Sequence, residues 1–222
     1  MIAIVDYGRG NLFSIAAAVR QFTDEFEVTA DADTVERATG LVLPGVGAFG
    51  DAVARLRGLG LWERLISYGQ SGRPFLGICL GMQLLADGSE EFGEHEGLAL
   101  VPGTVRVLPP FRKGPDASRV PNVGWRPLKI ERAHPFLSPL ATDDMMYFVH
   151  SYAPVGVPDE NKLASIGVNG QDVVAVVARD NIIGCQFHPE KSGAKGLALI
   201  ERFVEMVSSF KDISANPEDR ER

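Results

Sequence analysis

Cysteine is scarce: Cys79 and Cys185 are the only two in 222 residues. That excludes a disulfide scaffold, which needs more bridges in a shorter chain. Neither Cys-x-x-Cys nor His-x-x-x-His spacing occurs, so no structural zinc site is expected. Runs of Lys and Arg are also missing, and the formal net charge is -7. A nucleic-acid surface is therefore not expected. No apolar run approaches the roughly 20 residues that span a bilayer. The start of the chain has neither a basic segment nor a small-residue cleavage site, so we expect an unprocessed, cytoplasmic protein. Internal repeats and low-complexity tracts are absent too. What remains is a balance of 45% hydrophobic and 23% charged residues, suited to one well-buried domain.

Residues 1–5, 26–29, 41–43 and 74–78 read as buried strands. Around them, residues 11–22, 49–56, 62–68 and 80–85 read as helices. In the first of these, Leu12, Ile15, Ala16 and Val19 share one face. Strands alternating with helices call for right-handed crossovers and a parallel sheet. The pattern then changes. Residues 105–108, 126–130, 145–149, 163–168, 173–178 and 182–187 all read as strands. Asn169-Gly170 and Asp180-Asn181 separate the last three as hairpin turns. The expected fold is therefore α/β, a mostly parallel sheet flanked by helices with an antiparallel strand region added. An amphipathic helix over 194–210 closes a domain placed at 1–210, and the polar segment 211–222 is expected to be a disordered tail.

Gly77-Ile78-Cys79-Leu80-Gly81 sits where a buried strand turns into a helix. A sharp turn there leaves no room for flanking side chains, so glycine is needed on both sides. Such an elbow lifts the thiol clear of the sheet and sets it over a helix N-terminus, which favours thiolate. The N–H of Leu80 would point to where an oxyanion forms. The plain alternative is a buried cysteine in an ordinary strand-turn-helix.

A cysteine nucleophile needs a base, and the base needs a group to orient it. His188 follows a buried strand in Gln186-Phe187-His188-Pro189-Glu190. Pro189 biases His188 toward extended backbone, where residues two apart share a side. Glu190 could then hold one ring nitrogen while the other faces the thiol. The plain alternative is a solvated surface turn. His150 is the second candidate base, and it has no carboxylate close in sequence. His95 and His134 fall in polar loops and read as surface residues. Cys185 reads as buried packing.

Leu43-Pro44-Gly45-Val46-Gly47-Ala48-Phe49-Gly50 follows another buried strand. No Lys-Ser/Thr pair follows it, so a phosphate-binding loop fits poorly. A mobile loop supplying a second oxyanion donor fits better, and a simple tight turn stays open.

Gly77 to Gln83 and Gln186 to Glu190 resemble the triad motifs of class I glutamine amidotransferases. Further stretches are similar to one group within them, the glutaminase subunits of imidazole glycerol phosphate synthase. These are residues 6–12, the Pro-Gly-Val-Gly-Ala-Phe loop, 89–91 with 96–98, 121–125, 147–152 and 188–192. The resemblance spans residues 1–210 and implies that family's flavodoxin-like fold. It also implies glutamine hydrolysis to glutamate and ammonia, with Cys79 as nucleophile, His188 as general base and acid, and Glu190 as its orienter. Backbone N–H groups of Gly47 and Leu80 become the oxyanion donors. Gly45, Gln83, Ser151 and Tyr152 become the glutamine contacts. The implied partner is a cyclase subunit with a (β/α)8 barrel, toward which Asn11, Tyr147 and Lys191 would face. No metal or cofactor is implied. One departure is Arg126, where the family usually has Asn.

Overall fold

The computed structural model describes residues 1–109 and 120–215. Its first half follows the alternation read from the sequence. Strands β1 (Ile2–Val5), β2 (Phe26–Thr29), β3 (Gly40–Gly45) and β4 (Phe75–Cys79) pair in parallel. Helices α1 (Leu12–Val19), α2 (Ala32–Arg37), α3 (Phe49–Gly58), α4 (Trp62–Gly69) and α5 (Leu80–Leu84) lie between and after them. Helix α2 was not expected from the sequence. It has six residues, half of them charged, and Val35 is the one it buries. Its start is marked instead by a cap, the Asp31 side chain accepting from the Thr34 N–H.

The strands of the second half are β5 (Gly88–Ser89), β6 (His95–Glu96), β7 (Thr104–Val107), β8 (Asn122–Pro127) and β9 (Lys129–Ile130). They continue with β10 (Met145–His150), β11 (Tyr152–Val155), β12 (Lys162–Val168), β13 (Gln171–Arg179) and β14 (Ile182–Cys185). The single strand expected over 126–130 is two, β8 and β9, which pair with different neighbours. Both hairpins form: β12 with β13 and β13 with β14 are antiparallel. Asn169 and Gly170 both take positive φ, 53° and 76°, the twist a two-residue hairpin requires.

One eight-stranded sheet results, in the order β2-β1-β3-β4-β14-β13-β12-β9. Strand β14 lies parallel to β4 and joins the antiparallel strands to the parallel core. Two smaller sheets, β10-β8 and β11-β7-β5-β6, complete the strand region. The central strands β1, β3, β4 and β14 are buried on both faces. Ile2 and Ile4 enter one core with Ile15 of α1 and Phe203, while Ala3 and Val5 enter the other with α3, α4 and α5. This alternation is the two-residue period of a strand made visible.

Helix α6 runs Gly193–Ala215, beyond the end expected at residue 210. The expected tail is thus helical through Ala215, and residues 216–222 lie outside the described ones. No described helix is long and apolar enough to cross a membrane.

Candidate active site

Three neighbouring parallel strands end together. Gly45 of β3 pairs with Cys79 of β4, and Ile78 pairs with Cys185 of β14. The segments leaving these ends carry the loop 46–48, the elbow and His188, where open parallel sheets place their sites.

Cys79 has φ 56° and ψ -109°. A side chain in that region costs about 1–3 kcal/mol, so the surroundings must impose it. The flanking glycines show how. A Cβ on Gly77 would lie 2.8 Å from the Gly81 carbonyl oxygen, and one on Gly81 would overlap the Leu43 carbonyl oxygen. The backbone of β3 thus presses directly on the elbow. Leu80 opens α5, so its N–H has no carbonyl one turn earlier in the helix to bond.

His188 is buried, with Nδ1 2.9 Å from Oε1 of Glu190, whose side chain is fully enclosed. Burial by itself lowers the basicity of His188. The neighbouring Cys79 and Glu190, the latter hydrogen-bonded to Nδ1, outweigh it and hold the pKa up at about 9. His188 is therefore protonated near neutral pH. Because the folded value lies above the ordinary 6.5, this group's contribution to folding is complete below about 6.5 and is lost as pH rises through about 9.

Cys79 opens on a cavity of about 280 Å³. Val46, Gly47, Leu80, Gln83, Ser151 and Tyr152 line it with Cys79. A thiol, an imidazole and a carboxylate in series beside a small cavity are groups that can perform acyl transfer. Residues 3–207 match the family described as "Glutamine amidotransferase class-I". The chain is 45% identical to "Imidazole glycerol phosphate synthase subunit HisH" of Geobacillus thermodenitrificans, over 94% of this chain and 97% of that one. It is 39% identical to "Imidazole glycerol phosphate synthase subunit HisH 1" of Legionella pneumophila, over 92% and 99%.

The chain belongs to the class I glutamine amidotransferases, among the HisH subunits.

A solved glutamine amidotransferase shares the fold at TM-score 0.71 and 17% identity, covering 94% of this chain and all of its own. PurLQS from Thermotoga maritima does so at TM-score 0.69 and 18% identity, covering 95% and 98%. Within this amidotransferase frame the expected site residues fall into three groups. Cys79, Gly47, Leu80, Gln83, Ser151 and Tyr152 share the cavity wall. His188 and Glu190 support Cys79 from the turn after β14. Gly45 does not reach the cavity: it is buried in β3, packed under the Tyr7 hydroxyl and Leu80.

The free loop is shorter than the sequence suggests, since β3 runs to Gly45 and α3 starts at Phe49. Within it, Gly47 takes φ 103°, which few other residues adopt. Asn11 is half-buried at the start of α1 and makes no side-chain cap bond. Tyr147 is half-buried in β10, and Lys191 is exposed in the turn after His188.

His150 is not placed to act as the base. Its Nδ1 lies 2.9 Å from the Tyr152 carbonyl and its Nε2 lies 3.0 Å from Asn122 Nδ2. Burial pushes its pKa down to about 4, so it is neutral. Arg126 has a partner in this group: its Nε donates to Asn122 Oδ1 at 2.9 Å. His95 and His134 are not plain surface residues either. The His95 ring packs 6.3 Å from Phe49, and His134 Nδ1 accepts from the Phe136 N–H at 3.1 Å. Cys185 is fully buried in the core, and burial raises its thiol well above the ordinary range.

Two site residues escaped the sequence reading. Glu91 is a buried carboxylate on the cavity wall that accepts from the Phe49 N–H at 2.7 Å. It lies in Ser89-Glu90-Glu91, a stretch that had marked the resemblance without suggesting a role. Gln186 is fully buried, with Nε2 3.8 Å from the Cys79 sulfur. Its place directly before Phe187-His188 was the available signal.

Proposed function

We propose that this protein is the glutamine-hydrolysing subunit of an imidazole glycerol phosphate synthase, acting in the cytoplasm in histidine biosynthesis. The observation that carries the chemistry is the buried line Glu190–His188–Cys79 opening on one cavity. In this reading the Cys79 thiolate forms a bond to the side-chain amide carbon of L-glutamine. The carbonyl π pair moves to oxygen, which accepts from the N–H groups of Leu80 and Gly47, each worth about 3 kcal/mol of barrier. His188 gives its Nε2 proton to the amide nitrogen, the C–N bond breaks and ammonia leaves. Water, losing a proton to the now neutral His188, attacks the thioester carbon. The S–C bond breaks, glutamate departs, and the thiolate and protonated His188 are restored. Gln83, Ser151 and Tyr152 hold the amino-acid end, and the Glu91 carboxylate offers a charge for the substrate's ammonium group.

Glu190→Gln keeps the shape but removes the charge that holds His188 protonated. Glutamate release should fall about 10²-fold or more. The high-pH limb of the rate profile, set near 9 in the wild type by His188, should move to lower pH. A rate–pH profile superimposable on wild type would remove Glu190 from the mechanism.

Ammonia released here would protonate in bulk water, so it needs a direct path to a partner site. The cyclase subunit with its (β/α)8 barrel is the partner we propose. An apolar strip supports this: Val123, Trp125, Met145 and Val149 are exposed on one face of the β8–β10 pair, and Tyr147 packs against Trp125. A face this apolar is expected to be covered. Phe13, two residues beyond Asn11, is 86% exposed and would belong to the same contact.

The test is glutamate release by the isolated chain, then with the cyclase subunit and its ribonucleotide ligand. Stimulation of roughly a hundredfold is expected. Trp125→Glu should lose that stimulation while keeping the basal rate. A fast rate indifferent to the cyclase would make the protein a stand-alone γ-glutamyl hydrolase instead.

A further inference from the structure

Two polar groups lie within hydrogen-bond reach of the Cys79 sulfur, the Val149 carbonyl at 4.0 Å and the Gln186 side chain at 3.8 Å. Gln186 comes directly after β14, is fully buried, and sits with its carboxamide between Gln83 and Cys79. The two ends of a carboxamide are alike in shape, so what sets its direction is the polarity of its neighbours. Here one neighbour is unambiguous. The Tyr152 carbonyl can only accept, so Gln83 must present its NH2 group to it, at 2.9 Å. The second hydrogen of that NH2 reaches Gln186 at 3.1 Å, so Gln186 must present its oxygen there. The NH2 group of Gln186 is left facing the Cys79 sulfur at 3.8 Å.

We propose that Gln186 holds the Cys79 thiolate, donating an N–H to the sulfur in a direction fixed by the Tyr152 carbonyl acting through Gln83. This rests on Cys79 being the nucleophile. A thiolate accepts a hydrogen bond far better than a thiol, so the contact strengthens on ionisation. The carbonyl that starts the chain is itself held. His150 Nδ1–H donates to it, and His150 is fixed in turn by Asn122 and Arg126. The neutral state of His150 suits this: its unprotonated Nε2 accepts from Asn122, and its one N–H is committed to Tyr152. The Tyr152 carbonyl is thus the point where strand β11 and the elbow helix α5 agree on the polarity of the site.

Other ionisable groups also face the sulfur. His188 comes from the turn after β14, with Glu190 behind it. Tyr7, just beyond β1, and Cys185 in β14 feel the Cys79 charge, and burial keeps both neutral. Arg9 lies close enough to act on Tyr7 through its charge, and its guanidinium pairs with Asp51. Gln186 is the uncharged donor in this set, and its contribution does not titrate.

The experiment follows alkylation of Cys79 by iodoacetamide in the full chain as a function of pH, read by peptide mass spectrometry. Buried Cys185 serves as the internal control. Gln186→Met fills the space without a donor and should slow alkylation at pH 7 about tenfold, the size of one hydrogen bond to a charged group. The midpoint of its pH profile should move up. Gln186→Glu can still accept from Gln83 but sets a carboxylate oxygen beside the sulfur, so its loss should be larger. Melting curves establish that each variant is folded. If Gln186→Met does not fold, Gln186→Glu decides. A folded variant that alkylates with the wild-type rate and pH profile overturns the proposal. Glutamine hydrolysis by the wild type, measured on the same preparation, separately judges the glutaminase reading.

Discussion

Cys79→Ala should release glutamate at least about 10⁴-fold more slowly than wild type, with or without the cyclase. The Cys79 thiol is the nucleophile we propose in the cavity wall, with the charge of His188 close by. Removing it leaves the proposed oxyanion donors and glutamine contacts intact, and those would supply the remaining rate enhancement. The fold should be nearly indifferent. Alanine keeps the backbone at φ 56° and loses one sulfur at a site open to the cavity. The melting midpoint should move by only about 2–4 °C. Replacing His188 by Asn should cost almost as much activity, and the double variant little more, because nucleophile and base act as one unit. Glutamate release by Cys79→Ala at the wild-type rate would end the cysteine mechanism.

The largest expected effect on stability belongs to Gly81→Ala. A Cβ there would overlap the Leu43 carbonyl oxygen, and its second neighbour is the Leu43 carbonyl carbon at 2.8 Å. Both are backbone atoms of a central strand paired on each side, so neither can yield as a side-chain tip would. Helix α5 must move away from β3, taking the elbow and its packed core residues with it. We expect a loss of about 4 kcal/mol or more, a fall in melting midpoint of about 10 °C or more, and failure to accumulate as soluble protein. Gly167→Ala is the control. It lies exposed in β12 with nothing near its Cβ position, and should melt within about 2 °C of wild type. A Gly81→Ala protein as stable as this control would show that the elbow tolerates a side chain.

Much of this molecule was readable before folding. Most of the parallel half is legible because its central strands are short apolar runs and the helices other than α2 have periodic faces, both local properties. Gly77 and Gly81 were legible because a sharp elbow excludes Cβ atoms whatever surrounds it. His188 and Glu190 lie two apart across a proline, and the structure brings their side chains together. The hairpins at Asn169-Gly170 and Asp180-Asn181 were legible from residues that accept positive φ. Strand β11 is not legible in sequence because it contains Pro154, which is tolerated since β11 lies at the edge of its sheet and pairs with β7 alone. Helix α6 was ended early because the polar residues after Phe210 read as a tail. Lys211 instead pairs with Glu25, a partner 186 residues away.

Local pattern thus decided which segments are strands and helices, where the chain bends sharply, and which cysteine stands at a bend. Tertiary structure decided that β14 lies parallel against β4, which is what sets His188 beside Cys79. It decided that His150 is a neutral hydrogen-bonding link rather than a base, because both its nitrogens are engaged. It brought Glu91 to the cavity wall and turned the Gln186 amide toward the sulfur. The physical reason is common to all of these. Steric limits and periodicity act between neighbours in sequence and can be read there. Burial, charge and the direction of a hydrogen bond depend on groups that meet only once the sheet has closed.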